Sequence, residues 1–461
     1  MNYTQIIQAF VDLSFIPNLY IVGGAVRDCV MGIPINDIDV CSKHTPEEII
    51  SMIDSYNLID NYTALPPEMI IRYYLSGMDH GTITIVVEGR SYEHTTFRKD
   101  NSCDGRHAEV SYTDKLEEDA ARRDFTMNAM YMDKDLKIID LYNGQEHIKD
   151  GYLCTVGNPV DRFNEDYLRI IRAFRFSWKY FNSYPSPDII DGYRSIPDIK
   201  EKIRSISTER IVMEIDKAFK SVNSGQFIAS MIQGEFIKHL APELTDVWMI
   251  EQNPEYHPEI YVGAHIREVV ERCDPQYRWH ALFHDIGKLY TAEPHKSGDW
   301  MTFYNHDYVG SKRVGDICRR LKLPNKLTKE IEMVCKYHMK AYMIKKPSKL
   351  RRFALDIRGY EECIKAVFAA DHPDNKWPDL PNIPEFPNGY EINRHTNIPL
   401  DTPMLGRSIR WCTEYWISTG QTDKKIMLSA LKKHLVKDPD LSAGESTSVS
   451  RKETPESYKT P

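Results

Sequence analysis

The chain has 461 residues, 41% of them hydrophobic, and sets 59 Lys and Arg against 67 Asp and Glu for a net charge of −8. That length predicts two to four domains rather than one core; no apolar run approaches the roughly 20 residues that cross a bilayer; and the acidic balance argues against a protein that coats nucleic acid indiscriminately. The opening MNYTQIIQAFVDLSF lacks a basic-then-apolar leader, so a cytosolic protein is expected, and nine cysteines without a CxxC pair read as reduced packing residues.

In chain order, residues 1–155 mix short apolar segments with turns (YIVGGAV, DIDV, GTITIVV, LKIIDLY), the pattern of an α/β head. Residues 156–256 turn helical, with apolar spacings of three and four in DYLRIIRAFRFSW and STERIVMEIDKAF. Residues 257–375 form a second helical, His-rich unit. Between Lys312 and Arg352, fourteen Lys and Arg stand against three acids, a local basic patch suited to RNA. HPDNKWPDLPNIPEFPN (372–388) carries five prolines and reads as a linker or extended loop. Helical sequence resumes over 376–436, and 437–461, poor in bulky apolar side chains, is expected to be disordered.

In PINDIDV, a strand would put Asp37 and Asp39 on one face and Ile38 and Val40 on the other. Two converging carboxylates are hard oxygen ligands suited to Mg²⁺. A lone DxD is weak evidence, since Asp pairs are common at strand ends. Just upstream, however, YIVGGAVRD runs a strand into Gly23-Gly24 and then into a helix, which lets backbone N–H groups approach a phosphate; Arg27 adds a cation.

A GG turn followed about a dozen residues later by a DxD strand resembles the class II family of CCA-adding enzymes and bacterial poly(A) polymerases. HGTITIV (80–86), YEHTTFR (92–98), DGRHAEV (104–110), ARRDFTMNAM (121–130), DLYNG (140–144), EDYLRIIRAFRF (165–176) and STERI (207–211) look like the family's successive motifs in order. The resemblance implies an α/β nucleotidyltransferase head with a mixed sheet and helices, followed by an all-α neck and an α-helical HD body. It implies template-independent addition of CMP and AMP from CTP and ATP to the 3′ end of tRNA. Asp37 and Asp39 would hold two Mg²⁺ ions, with Glu93 as a candidate third carboxylate. Arg123, Asp124 and Asn128 fall where the family handles ribose and triphosphate, while Phe125 and Met127 are expected to pack.

A helix over NEDYLRIIRAFRF would bury Tyr167, Ile170, Ile171 and Phe174 and place Glu165, Asp166, Arg169 and Arg172 opposite, with Asp166 and Arg169 as neighbours. In the family this EDxxR motif reads the incoming base. Cytosine and adenine both offer an amine donor beside a ring-nitrogen acceptor, which a carboxylate beside a guanidinium matches. One departure stands out: RKDNSCDGRHAEV lacks the tyrosine and proline usual after TTFR, with Ala108 at about the proline's place, so addition of CC alone stays open as an alternative.

GAHIREVV, HALFHDIGK, FYNHDYVG, KYHM and AADHP resemble the HD superfamily of metal phosphohydrolases. The resemblance implies His265, His284, Asp285, His306, His338 and Asp371 as ligands of one or two divalent metals such as nickel, manganese or magnesium, and with them a phosphatase or cyclic phosphodiesterase activity. A poly(A) polymerase, or an HD phosphohydrolase with an inert head, are the remaining alternatives.

Overall fold

The computed structural model describes residues 3–60, 70–75, 77–103 and 108–437. The centre of the DGRHAEV segment and the tail from residue 438 onward lie outside the described residues. The chain divides into two compact units, Met1–Lys336 and Tyr337–Pro461.

The first unit opens with a mixed seven-stranded sheet in the order β3-β4-β5-β2-β1-β8-β9. Its strands are β1 (Tyr20–Val22), β2 (Asp39–Ser42), β3 (Arg72–Tyr74), β4 (Thr82–Val87), β5 (Arg90–Thr96), β8 (Met130–Met132) and β9 (Ile138–Asp140). Among the described residues only β2 and β5 pair in parallel; the other neighbours in the sheet are antiparallel. A separate hairpin joins β6 (Arg98–Cys103) to β7 (Ala108–Tyr112). Alternation along β4, with Ile83, Ile85 and Val87 buried and Thr82, Thr84 and Val86 half-exposed, fixes which sheet face is core. That face packs with Ile6, Val26, Val40, Ile49 and Ile53, which come largely from flanking helices.

After the sheet the first unit is helical, as the sequence pattern predicts, apart from a short hairpin pairing Glu293–Pro294 with Met301–Thr302. Helix Leu168–Phe176 buries Ile170, Ile171 and Phe174, and helix Thr208–Phe219 buries Ile211, Ile215 and Phe219. The fold is therefore an α/β head with a mixed sheet, followed by a helical body.

In the second unit the segment from His372 to Asn388 is irregular. It is packed rather than loose: Ile383 and Phe386 lie against Trp416, the Phe386 and Trp416 rings 5.7 Å apart. Helices Gly389–Thr396, Pro403–Thr419 and Lys424–Lys437 close around Ile392, Cys412 and Leu431. Among the described residues no helix is long and apolar enough to cross a membrane.

Candidate functional site

Parallel pairing of β2 with β5 sets Asp39 in register with Glu93, and antiparallel pairing with β1 sets Asp39 opposite Val22, at the mouth of the glycine turn. The expected strand over Asp37–Val40 needs correction, because β2 begins only at Asp39 and Asp37 lies in the irregular segment before it. Both aspartates nonetheless reach solvent while Val40 is buried. Although Asp39 is exposed at its edge, partial loss of water around its carboxyl, and then the charge of Glu93, push its pKa above its ordinary value; Arg123 pulls the other way and Asp37 adds to the rise. Among the described residues none of Asp37, Asp39 and Glu93 makes an ion pair or side-chain hydrogen bond.

Gly23 adopts φ +68, a left-handed conformation that favours glycine, at the entry to helix Gly24–Met31. A Cβ there would sit 3.5 Å from Arg123 Nη1. Arg27, expected to offer a cation to phosphate, is turned inward at 7% exposure. Its Nη1 donates to Asn128 Oδ1 (2.7 Å), its Nε to Asp28 Oδ1 (2.8 Å), and its guanidinium lies 4.3 Å from the Tyr180 ring centre. Asn128 Nδ2 in turn donates to Asp124 Oδ1 (3.1 Å), and Asp124 Oδ2 accepts from Arg172 Nε (2.9 Å). Burial would raise the Asp124 pKa, but Arg172 and Asn128 outweigh it and bring it to about 2. Phe125 and Met127 pack, as expected.

The helix predicted through residues 165–176 is broken. Helix Pro159–Glu165 ends, Asp166 is extended (φ −155, ψ 107), and a new helix starts at Leu168. The physical reason is local: Asp166 Oδ1 accepts the Leu168 N–H at 3.1 Å, the side-chain-to-backbone bond with which aspartate competes against helix. In consequence the side chains of Asp166 and Arg169 do not pair, although the Arg169 N–H donates to the Asp166 carbonyl (3.0 Å). Arg169 pairs with Glu165 and donates to the carbonyls of Arg162 and Arg122. Asp166 Oδ2 instead accepts from Arg210 Nη2 at 2.6 Å.

These groups line a cleft of about 240 Å³ holding five guanidiniums, those of Arg122, Arg123, Arg169, Arg172 and Arg210, with the carboxylates of Asp124 and Asp166. Arg122 and Arg210 are missing from the sequence-based set. Each stood inside a recognised motif, RRD and STERI, but only the tertiary fold brings Arg210 across 44 residues to Asp166.

A second cluster forms on helices Val262–Arg272 and His306–Arg320 and after Arg278–Phe283. His284 Nε2 lies 3.4 Å from both His265 Nε2 and Asp285 Oδ2, and His306 Nε2 lies 3.3 Å from Asp285 Oδ1. Each ring is held from behind through Nδ1. His284 donates to the Ala281 carbonyl (2.7 Å), His306 to the Phe303 carbonyl (2.8 Å), and His265 meets Glu259 Oε1 (2.8 Å). Three Nε2 atoms therefore turn inward, the arrangement of metal-binding imidazoles. Burial raises the Asp285 pKa, yet Lys288 at 2.7 Å and the histidines hold it well below the carboxylate range. His338 and Asp371 belong to the second unit, His338 fully buried and Asp371 at the end of helix Glu361–Asp371, 3.3 Å from His372.

Three family models match the chain: Poly A polymerase head domain over residues 19–154, Probable RNA and SrmB- binding site of polymerase A over 193–247, and HD domain over 256–376. The chain is 31% identical over 371 residues to the Multifunctional CCA protein of Acinetobacter baumannii strain AYE, covering 78% of this chain and 84% of that one. It is 37% identical over 222 residues to the CCA-adding enzyme of Staphylococcus saprophyticus, covering 48% and 49%. Among solved structures its fold is similar to the Bacillus stearothermophilus CCA-adding enzyme in complex with CTP (TM-score 0.65, 21% identity, 95% of this chain and 100% of that one). It is also similar to the Thermotoga maritima CCA-adding enzyme complexed with tRNA (TM-score 0.55, 18% identity, 94% and 95%).

Proposed function

The chain belongs to the family of CCA-adding enzymes, and from that premise we propose that it adds CMP and AMP, without a template, to the 3′ end of tRNA in the cytoplasm, consuming CTP and ATP and releasing pyrophosphate. The observation that carries the reading is the register of Asp39 with Glu93 beside Asp37, at the foot of the glycine turn. Family membership implies dependence on a divalent metal, and the donor set fits one: three accessible carboxylates, one of them raised in pKa by loss of water and then by its acidic neighbours, are short of positive charge. Asp37, Asp39 and Glu93 would hold Mg²⁺, which when bound lowers the pKa of the primer 3′-hydroxyl and steadies the departing pyrophosphate.

The chain's own residues do the positioning. Gly23 and Gly24 let the backbone approach the triphosphate, and Arg123 Nη1 reaches over the same turn. Asp124, fixed by Arg172 and Asn128, closes the far side of the nucleotide site. In the cleft, Asp166 accepts the exocyclic amine of cytosine or adenine, and a guanidinium, Arg169 in the family's pattern, donates to the ring nitrogen. Uracil and guanine would set a carbonyl against Asp166. An unsatisfied buried acceptor costs about 1–3 kcal/mol, enough to discriminate without a template.

A second reading concerns the histidine cluster. His265, His284, Asp285 and His306, all in the first unit, would hold nickel, manganese or magnesium and support phosphoester hydrolysis. The Nε2 atoms converging on Asp285 favour it.

The test is incorporation of labelled CTP and ATP, separately and together, into tRNA transcripts ending before, within and just short of CCA. Addition of CC and then a single A, lost in Asp37→Ala/Asp39→Ala, is the expected result. CC alone would make this a CC-adding enzyme, long A tracts a poly(A) polymerase, and no incorporation would overturn the reading in favour of the histidine cluster.

A further inference from the structure

Asp119, on helix Leu116–Ala121, has 1% exposure, yet among the described residues of the head its carboxylate accepts the most hydrogen bonds. Its Oδ1 accepts from Arg122 Nη2 (2.7 Å) and Nε (3.0 Å) and from the Arg98 backbone N–H (3.3 Å). Its Oδ2 accepts from the Tyr131 hydroxyl (2.6 Å) and from Arg123 Nη2 (2.9 Å) and Nε (3.2 Å). Arginines three and four residues along present the same guanidinium edge, Nε with Nη2, to one oxygen each.

What this leaves over is informative. With the Nε–Nη2 edge of Arg123 pinned, the rigid fork has one remaining corner, Nη1. That corner faces the glycine turn, 3.5 Å from where a Gly23 Cβ would stand; one of its two N–H groups donates to the Asn128 carbonyl (3.4 Å), which leaves the other for a ligand. Tyr131, the third donor, sits on β8 opposite Val22 of β1, the residue that leads into the turn. The carboxylate is thus bolted to the strand pair that carries the glycines. On its other side, Arg122 Nε also donates to the Arg98 carbonyl (3.1 Å), so Asp119 and Arg122 together grip both backbone groups of Arg98, the first residue of the β6–β7 hairpin.

We infer that Asp119 is a positioning residue for nucleotidyl transfer: it aims Arg123 Nη1 across the Gly23-Gly24 turn at the phosphates of the incoming nucleotide and ties that aim to the root of the β6–β7 hairpin. The inference rests on the proposed seating of the triphosphate at this turn. A buried carboxylate that merely neutralised two arginines would stabilise the head without favouring any part of the nucleotide. A carboxylate that aims a guanidinium acts on the phosphates and leaves base and ribose alone.

Equilibrium binding to the full chain with Mg²⁺ separates the two, using CTP, CMP and inorganic pyrophosphate as probes. Asp119→Asn is expected to weaken CTP and pyrophosphate about 10-fold or more, the scale of one charge-assisted hydrogen bond, and to leave CMP within about twofold. Asp119→Glu, which keeps the charge, should recover part of the loss. In the Arg123→Ala background Asp119→Asn should add little, because the guanidinium it aims is gone. If Asp119→Asn does not fold, Tyr131→Phe removes one of the bonds and should weaken CTP by a few-fold with CMP unchanged. Equal weakening of CTP and CMP, unchanged CTP affinity, or full additivity with Arg123→Ala would each overturn the inference. Wild-type protein that binds CMP as tightly as CTP would instead overturn the seating at the turn.

Discussion

The acidic groups of the head and those of the histidine cluster face the same electrostatic problem and meet it in opposite ways. Asp37, Asp39 and Glu93 are exposed on and beside the paired strands β2 and β5, and partial loss of water, then the charges of Glu93 and Asp37, push Asp39 up. Asp285 is 2% exposed and surrounded by Lys288, His284 and His306, which hold it down as a carboxylate. The head leaves its charge uncompensated and open, as suits a cation arriving with a nucleotide. The cluster compensates its charge from within and braces each imidazole from behind, as suits an ion that stays.

Two substitutions would sharpen this contrast. Asp39→Ala should lower CMP incorporation by roughly 10³-fold, since several kcal/mol of charge stabilisation go with the cation it helps to hold. Metal bound at the histidine cluster should not change, as read by elemental analysis after dialysis. Loss at both sites would break the comparison. Glu259→Gln acts on the other side: its carboxylate meets both His265 and His257, and it should weaken metal binding at the cluster about 10–100-fold. Competition with a chromophoric chelator measures that, and CCA addition should continue at its normal rate.

Much of both sites was readable from sequence because their residues lie in short motifs with local geometry. Gly23, Asp39 and His284-Asp285 needed only a strand, a turn or a helix end to be placed. What could not be read depends on pairings across long separations or on competition between a side chain and its own backbone. Periodicity carried the helix through Asp166, since the buried stripe of Ile170, Ile171 and Phe174 continues the same pattern. One carboxylate-to-amide bond breaks it, and a sequence period does not register that bond. Arg27 likewise followed the glycines into a helix that suited phosphate binding, but Asn128, 101 residues away, draws it inward. Asp119 carries no signal in the sequence, because its importance lies in what it holds.

The base-reading assignment makes the next test. Asp166→Ala should relax discrimination against UTP and GTP by about 10-fold, the effect of removing one acceptor from the cleft, while incorporation of CTP continues. Unchanged discrimination would move base choice to the guanidiniums around it.

The smallest effects concern stability, and there the carboxylates of the head divide among themselves. Asp119 and Asp124 are both brought to about 2, below the ordinary 3.8. A carboxylate lowered by folding contributes stability that is complete above its unfolded pKa and is lost as the pH falls through the folded one, here between about pH 4 and pH 2. Each contribution is on the order of 2 kcal/mol at neutral pH. Asp39 has the opposite sign. Its raised pKa means that its charge opposes folding above that pKa, and the opposition fades as acid neutralises it. Without added metal at pH 7, Asp39→Asn should therefore raise Tm slightly while abolishing incorporation, whereas Asp124→Asn should lower Tm and flatten the acid unfolding curve. Added Mg²⁺ should raise the Tm of the wild-type head and not that of Asp39→Asn, because bound cation removes the repulsion that the substitution removes. A fall in Tm for Asp39→Asn would mean that its carboxylate is already compensated in the metal-free protein, and the contrast with Asp285 would collapse.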